Sequence, residues 1–177
     1  MTVDVGRLTF VPVAHAVDLV GEPVRQQLPV DGLWVSAIDA DLADTAAFCE
    51  HYDIALDIAA NCVVVEARRA ERVWFAACVV LATTRADVNG IVRKHLGARK
   101  ISFAPMASAV SLTGMEYGGI TPLGLPAVWP ILVDLNVIDQ ERVIIGSGIR
   151  GSKLLAATEV LTSLSNAEVL AITKPIA

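Results

Sequence analysis

The residues best suited to chemistry in this chain lie in two glycine-rich loops, the first of which occupies residues 114–126. Paired glycines at Gly118 and Gly119 let the backbone approach a ligand closely, and Pro122 stiffens the segment that follows. Backbone amides freed in such a loop can hold a carbonyl oxygen while negative charge develops on it. The pattern therefore predicts an oxyanion-binding loop, with a structural turn as the alternative.

The second loop follows an apolar run and reads Gly-Ser-Gly-Ile-Arg-Gly-Ser-Lys over residues 146–153. Its amides, together with Arg150 and Lys153, suit a phosphate group, because backbone nests and arginine forks both bind anionic oxygens. The order of residues differs from that of a P-loop and from that of a dinucleotide fingerprint. The loop therefore predicts either an anion site or a structural turn.

The composition of the chain excludes several protein classes. Of its 177 residues, 54% are apolar, 5% are aromatic and 19% are charged, and the net charge is −5. The longest uncharged run, residues 117–133, contains three glycines and three prolines, which argues against a membrane-spanning helix. A chain of this length buries about two-thirds of its unfolded surface without disulfides. We therefore expect one soluble domain over residues 1–177, with residues 1–30 as an irregular extension packed on it.

Three cysteines and three histidines are scattered along the chain, without a Cys-x-x-Cys pair. This distribution argues against a zinc site and predicts reduced thiols in the core. The amino terminus lacks a basic segment followed by an apolar run, so we expect no secretory signal. These observations predict a cytoplasmic protein with no metal and no cofactor.

Charge is distributed unevenly along the chain. Residues 1–57 carry ten acids and two bases, whereas residues 68–100 carry eight bases and two acids. A local positive potential steers polyanions even toward an acidic protein. The basic segment predicts a surface for nucleic acid, with a solvated helix face and turns as the alternative. The expected nucleic-acid contacts are Arg85, Arg93, Lys94, Arg99 and Lys100.

The elements that must position these loops follow from apolar patterns and capping residues. Helices are expected from Asp41 to about residue 52, from Thr84 to a stop at Gly97, from Pro105 to Gly114, and over 159–164. Strands are expected over 33–38, 60–65, 73–82, 100–103, 130–134, 142–146, 152–156 and near 169. Since strands outnumber helices and short turns connect most of them, we predict a mixed α/β (α+β) fold, a curled or barrel-like mixed β-sheet flanked by helices.

Four segments, residues 97–104, 112–124, 129–134 and 143–151, resemble the YbaK/prolyl-tRNA synthetase-associated domain family. The resemblance covers roughly residues 42–165, and its most specific parts are the Gly-Gly-x-x-Pro-x-Gly and Gly-x-Gly-x-Arg-Gly loops. It implies an aminoacyl-tRNA editing deacylase, which hydrolyses the ester of mischarged tRNA, notably Cys or Ala on tRNA(Pro). It also implies a barrel-like mixed sheet flanked by helices.

The resemblance further implies where the substrate lies. The family's Gly-x-x-x-Pro loop falls on residues 118–122 and lies against the aminoacyl group and the terminal adenosine, while the second loop forms another wall of that pocket. The catalytic residues implied are Asn61, Gly118, Gly119 and Pro122. The substrate-binding residues implied are Ile120, Thr121, Gly124, Gly146, Ser147, Gly148, Arg150 and Lys153.

The chain departs from the family at one functional position. The family's lysine, at the start of a strand, falls on Asn61 in one register and on Ala60 in the other, and neither is a lysine. An asparagine donates a hydrogen bond but carries no charge, and removal of a charged hydrogen bond typically costs about 1.5–3 kcal/mol. Three cations from other strands are candidates to replace that charge: Lys100, Arg150 and Lys153.

The resulting expectation is hydrolysis of mischarged tRNA by a chain that lacks a Ser-His-Asp or Cys-His pattern. Water, the substrate's own thiol or its ribose hydroxyl is then the nucleophile. A non-catalytic relative that binds aminoacyl-tRNA or a nucleotide is the alternative, and an esterase of small molecules is a third. The expected partners are mischarged tRNA and an aminoacyl-tRNA synthetase, not a membrane, and the oligomeric state stays open.

Overall fold

Twelve strands and six α-helices form residues 1–176, the part of the chain that this computed structural model describes. The α-helices are α1 (Glu22–Arg25), α2 (Thr45–Tyr52), α3 (Arg93–His95), α4 (Met106–Thr113), α5 (Leu135–Ile138) and α6 (Thr158–Thr162). The strands are β1 (Val3–Val5), β2 (Leu8–Pro12), β3 (Leu33–Ala37), β4 (Ala60–Arg69), β5 (Arg72–Leu81), β6 (Thr84–Ala86), β7 (Lys100–Phe103), β8 (Ile131–Asp134), β9 (Arg142–Gly146), β10 (Ser152–Ala157), β11 (Ala167–Leu170) and β12 (Thr173–Pro175).

The strands form two five-stranded sheets, in the orders β1-β2-β3-β10-β9 and β11-β8-β5-β4-β7, and a small sheet of β12 and β6. In the second sheet β8 runs parallel to β5 and β11, while β4 is antiparallel to β5 and β7. A parallel bridge between Ala59 and Ile144 joins the first sheet to the start of β4. The fold is therefore a curled mixed sheet with helices outside it, as predicted.

The main core lies between the two sheets because strand side chains alternate between opposite faces. Ile145 of β9 shares this core with Val79 of β5. Its neighbour Ile144 points the other way and packs with Phe48 of α2. Full burial of one such side chain contributes about 1.5–3 kcal/mol. This packing fixes α2 against the outer face of the first sheet and brings the start of α2 next to β10.

The first helix prediction is corrected at its start. Asp41 lies in a separate 3₁₀ turn, and α2 begins after Asp44, whose carboxylate accepts hydrogen bonds from the amides of Ala46 and Ala47. Both aspartates are suitable N-caps, and the packing of Phe48 selects the second.

The second helix prediction is also corrected at its start. Thr84 begins β6, which pairs with β12 over a long sequence separation, so residues 84–86 are extended instead of helical. Asp87 then caps a π-helical segment (Val88–Val92) that leads into α3, and its carboxylate accepts from the amide of Ile91 at 3.3 Å. The predicted stop at Gly97 agrees with its positive φ of 66°.

The first thirty residues are more regular than predicted. β1 and β2 form a hairpin, and β2 pairs with β3, so these strands extend the first sheet. Phe10 and Val24 are completely buried. The prolines that suggested irregularity lie where proline is tolerated: Pro12 ends β2 and Pro23 lies in the first turn of α1. The prediction of an irregular extension is therefore wrong for residues 3–5 and 8–12, which form strands.

Most of the remaining elements lie where the sequence predicted them. α4 begins after Pro105 and ends at Gly114, which has a φ of 67°. β4 and β5 form the predicted hairpin, although it turns at residues 70–71 and its strands are longer than expected. β12 was not predicted. None of the helices found in residues 1–176 is both long and apolar enough to cross a membrane.

Candidate active site

A cavity of about 320 Å³ opens where the two sheets meet, between the start of β4, the end of β9 and the start of β10. Residues from both glycine-rich loops contribute to its wall. The predicted site residues that line it are Asn61, Gly118, Ile120, Gly146 and Lys153. The cavity therefore brings together residues that are more than 90 positions apart in the sequence.

Lys153 contributes the positive charge of this cavity. Its side chain is 7% exposed, its Nζ donates to the carbonyl oxygen of Ala43 at 2.9 Å, and Nζ lies 5.3 Å from the ring centroid of Phe48. Burial lowers the pKa of this ammonium, while the nearby Cys49 and Asp44 oppose that shift. Since Ala43 is its one hydrogen-bond acceptor among residues 1–176, Nζ retains N–H donors for a ligand.

Asn61 is held in the wall of the same cavity by Thr45, whose Oγ1 donates to Oδ1 of Asn61 at 2.5 Å. This bond uses the amide oxygen and leaves the Nδ2 donor for a ligand. The charge that the resemblance led us to expect on β4 is thus present in the cavity on β10. Of the other replacements considered, Lys100 lies on the outer surface, and Arg150 donates to the carbonyl oxygen of Tyr117 at 3.1 Å.

The two glycine-rich loops are held together by their backbones. The amide of Gly148 donates to the carbonyl oxygen of Gly119 at 2.7 Å, and the amide of Glu116 donates to the carbonyl oxygen of Gly148 at 3.0 Å. A Cβ atom on Gly146 would lie 2.5 Å from the carbonyl oxygen of Gly119 and 2.6 Å from that of Ile120. The loops therefore form one continuous wall, in which position 146 has no room for a side chain.

Several predicted site residues lie behind this wall and shape it. Ser147 is buried, and its hydroxyl is engaged by the hydroxyl of Ser152 at 2.7 Å. A Cβ on Gly124 would collide with the backbone of Pro23, so Gly124 packs on α1. The guanidinium of Arg150 braces the loop at Gly118. The others that do not line the cavity are Gly119, Thr121, Pro122 and Gly148.

Four polar or aromatic residues of the cavity were missed by the sequence analysis: Asp44, Thr45, Phe103 and Tyr117. The capping preference of aspartate pointed to Asp44 as well as to Asp41, so that signal was present. Phe103 and Tyr117 are 63% and 54% exposed. No local sequence pattern predicts that an exposed aromatic residue lies at the mouth of a cavity.

Cys62 also lines the cavity, and burial, helped by the neighbouring Cys78, raises the pKa of its thiol. A thiol with a raised pKa stays protonated near neutral pH, which makes it a poor nucleophile. Within residues 1–176, no three His, Cys, Asp or Glu side chains gather as a possible metal site. The cavity thus offers donors for an oxygen that gains negative charge: the Lys153 ammonium, the Asn61 amide and the backbone of the Gly118 loop.

A second group of cations lies on the outer surface, beyond β7. Arg93 and Arg99 line two shallow cavities there, and Arg68 and Arg69 approach from the β4–β5 hairpin. Arg85, on β6, lines neither cavity. We call this group the basic cluster, defined as Arg68, Arg69, Arg93, Lys94, Arg99 and Lys100.

β7 connects the basic cluster to the candidate active site. Lys100, at the start of the strand, lines a cavity of the cluster, whereas Phe103, at its end, lines the main cavity. Three residue steps along a strand span roughly 10 Å. The basic cluster is therefore close enough to contact the same extended ligand as the cavity.

Comparison with solved structures identifies other proteins that share this fold. Three solved structures, each 18% identical to the chain, share its fold. One is a candidate trans-editing enzyme for prolyl-tRNA synthetase, with a TM-score of 0.73 over 93% of this chain and 98% of that chain. The second is the hypothetical protein APE2540, with a TM-score of 0.70 over 79% of this chain and 90% of that chain. The third is a scaffold for computational epitope backbone grafting, with a TM-score of 0.69 over 80% of this chain and 87% of that chain.

The family model of the aminoacyl-tRNA editing domain matches residues 39–164, which include both glycine-rich loops and every residue of the cavity wall. The match starts after β3 and ends after α6, so it spans most of the chain. The resemblance proposed from the sequence is thereby confirmed. The chain belongs to the aminoacyl-tRNA editing domain family.

Proposed function

We propose that this chain is a hydrolase that deacylates mischarged tRNA carrying a small amino acid such as Cys or Ala, with tRNA(Pro) as the acceptor. One observation carries the proposal: the Lys153 ammonium lies in the same cavity as Asn61 and Gly118. The charge missing from β4 is then supplied by β10, and loss of the family's lysine no longer argues for an inactive relative.

In this proposal the ester carbonyl lies toward the donors of the cavity. Lys153, Asn61 and the Gly118 backbone stabilise the negative charge that develops on the carbonyl oxygen when water attacks the carbon. The bond between that carbon and the ribose oxygen then breaks, and a proton that comes from the water ends on the ribose oxygen. The products are the free amino acid and the tRNA with its terminal hydroxyl restored.

The apolar lining of the cavity is consistent with an aminoacyl group that has a small side chain. Its apolar wall is built largely from alanines and valines, including Ala60, Ala104 and Ala109. A synthetase rejects a smaller amino acid by only about 1–3 kcal/mol per missing methylene, so a second site that admits only small side chains complements it. The side chains of Cys and Ala are small and largely apolar, which suits this lining.

The test of this proposal is a deacylation assay with cysteinyl-, alanyl- and seryl-tRNA on several acceptors. We expect the protein to accelerate loss of the ester over buffer for at least one small amino acid on tRNA(Pro). Binding of aminoacyl-tRNA with no acceleration for any substrate would identify a non-catalytic relative. Hydrolysis of small esters but not of aminoacyl-tRNA would identify an esterase.

The basic cluster is proposed to contact tRNA phosphates. We expect Arg93→Ala combined with Lys94→Ala to weaken tRNA binding at low salt and to flatten its salt dependence. The slope of log K against log salt should fall by about 0.9 for each phosphate that the variant no longer neutralises. Binding is measured by fluorescence anisotropy between 50 and 200 mM salt, roughly the range in which such interactions dominate.

The control for this pair is Arg7→Ala with Arg142→Ala, which removes two cations outside the basic cluster. It should leave the slope unchanged. Unchanged tRNA binding by the Arg93→Ala, Lys94→Ala protein at low salt would refute the role of the cluster.

A further inference from the structure

Asp44 is the one carboxylate in the cavity wall within the described residues, and the hydrolytic step gives it no role. Its Oδ1 accepts from the amides of Ala46 and Ala47 at 3.1 and 3.4 Å, which caps α2. Its Oδ2 has no hydrogen-bond partner among residues 1–176. Asp44 is an exposed residue of the cavity wall, so one oxygen of its carboxylate is occupied by the helix and the other is available to a ligand.

The polar groups of the cavity are divided by charge. Lys153, Asn61 and the Gly118 backbone supply donors, whereas Asp44 supplies a free anionic acceptor. An aminoacyl ester has a matching division, because a cationic ammonium group stands one carbon away from the carbonyl. A propionyl ester, or any ester without the amine, has no group that would use the carboxylate.

We propose that Oδ2 of Asp44 binds the α-ammonium group of the substrate and that the site thereby requires an ester with a free amino group. This inference rests on the proposed function, since it assigns the aminoacyl moiety to the same cavity. Lys153 and Asn61 bond to Ala43 and Thr45, the residues on either side of Asp44, so an ammonium anchored on Asp44 places the adjacent carbonyl near both donors. Esters whose amine is missing or acylated lack that anchor and bind more weakly.

The experiment uses two adenosines that carry an acyl group through an amide bond at the 3′ position, which prevents hydrolysis. One carries alanine and the other carries propionic acid, which has the same carbon skeleton without the amine. Calorimetric titration of the wild-type protein should give an affinity for the alanyl compound roughly tenfold higher, as expected for one partly exposed charged hydrogen bond.

The deciding variant is Asp44→Asn, because asparagine caps a helix as well as aspartate but carries no charge. We expect it to bind both compounds with the affinity that the wild type has for the propionyl compound, at an unchanged melting temperature. Asp41→Asn, on the neighbouring turn outside the cavity, is the control and should retain the tenfold preference.

The outcomes separate this inference from the proposed function. Equal wild-type affinity for the two compounds, no binding of either, or a preference that survives Asp44→Asn would overturn the role of Asp44. A preference that disappears in Asp44→Asn supports that role, whatever the hydrolysis assay gives. Failure to hydrolyse aminoacyl-tRNA despite that preference would instead refute the proposed function.

Discussion

Lys153→Met is expected to lower the kcat/KM of deacylation by roughly 10²- to 10³-fold, the usual effect of removing one preorganised donor from an oxyanion site. Methionine fills a similar volume and keeps the contact with Phe48, while it removes the charge and the hydrogen bond to Ala43. Loss of the ammonium also leaves the carbonyl oxygen of the buried Ala43 without its donor, which typically costs about 1–3 kcal/mol. We therefore expect a large loss of activity together with a modestly lower melting temperature.

The matched control is Lys174→Met, which removes a lysine that pairs with Asp87 away from the cavity. It should retain wild-type activity. The pH profile supplies a second measurement: burial lowers the pKa of Lys153, so wild-type kcat/KM should decline with rising pH earlier than an ordinary lysine would dictate. That decline should be absent from the residual activity of Lys153→Met.

A rescue variant separates charge from packing. Asn61→Lys in the Lys153→Met background returns a lysine to the family's position on β4 and should recover part of the activity, since both positions line one cavity. An activity within a few-fold of wild type for Lys153→Met alone would show that the ammonium does not assist the reaction.

Gly146→Ala is expected to abolish most of the deacylation activity and to lower the free energy of unfolding by about 1–3 kcal/mol, the range for overpacking a close-packed site. The added Cβ would lie 2.5 Å from the carbonyl oxygen of Gly119 and 2.6 Å from that of Ile120. Both of these oxygens are backbone atoms, so relief requires the two loops to separate. That movement displaces the Gly118 backbone from the cavity.

The control is Gly151→Ala, later in the same loop, where an added Cβ would meet nothing within 4 Å. It should change neither the urea midpoint nor the deacylation rate. Gly146→Ala with wild-type stability and activity would contradict the tight packing between the loops.

Local signals predicted much of this fold. The hairpin of β4 and β5 follows from two β-branched runs, and α4 follows from a proline before it and a glycine after it. The errors in the predicted helices arose where a segment pairs or packs with residues that are distant in the sequence. Thr84 has the hydroxyl of a good N-cap, but pairing with residue 175 holds it in a strand. A local capping rule contains no information about that pairing.

The candidate site was also predictable only in part, because local signals identify its loops while distant pairing places its charged residues. The glycine loops are recognisable because close backbone approach leaves few residue types available. Lys153 was one of three cations considered, and only the pairing of β10 with β9 places it at the cavity rather than on the surface. Asp44 reaches the cavity through the packing of α2, which a capping pattern alone does not reveal.

The junction of the two sheets has a consequence for how such sites are recognised. A cavity at such a junction is lined by residues of both sheets, so a cation on β4 or on β10 can reach the same cavity. Under the proposed function, a search for a lysine at the β4 position alone would wrongly discard this chain. Under the proposed function, the feature to look for at such a junction is a cation that lines the cavity, on whichever strand it stands.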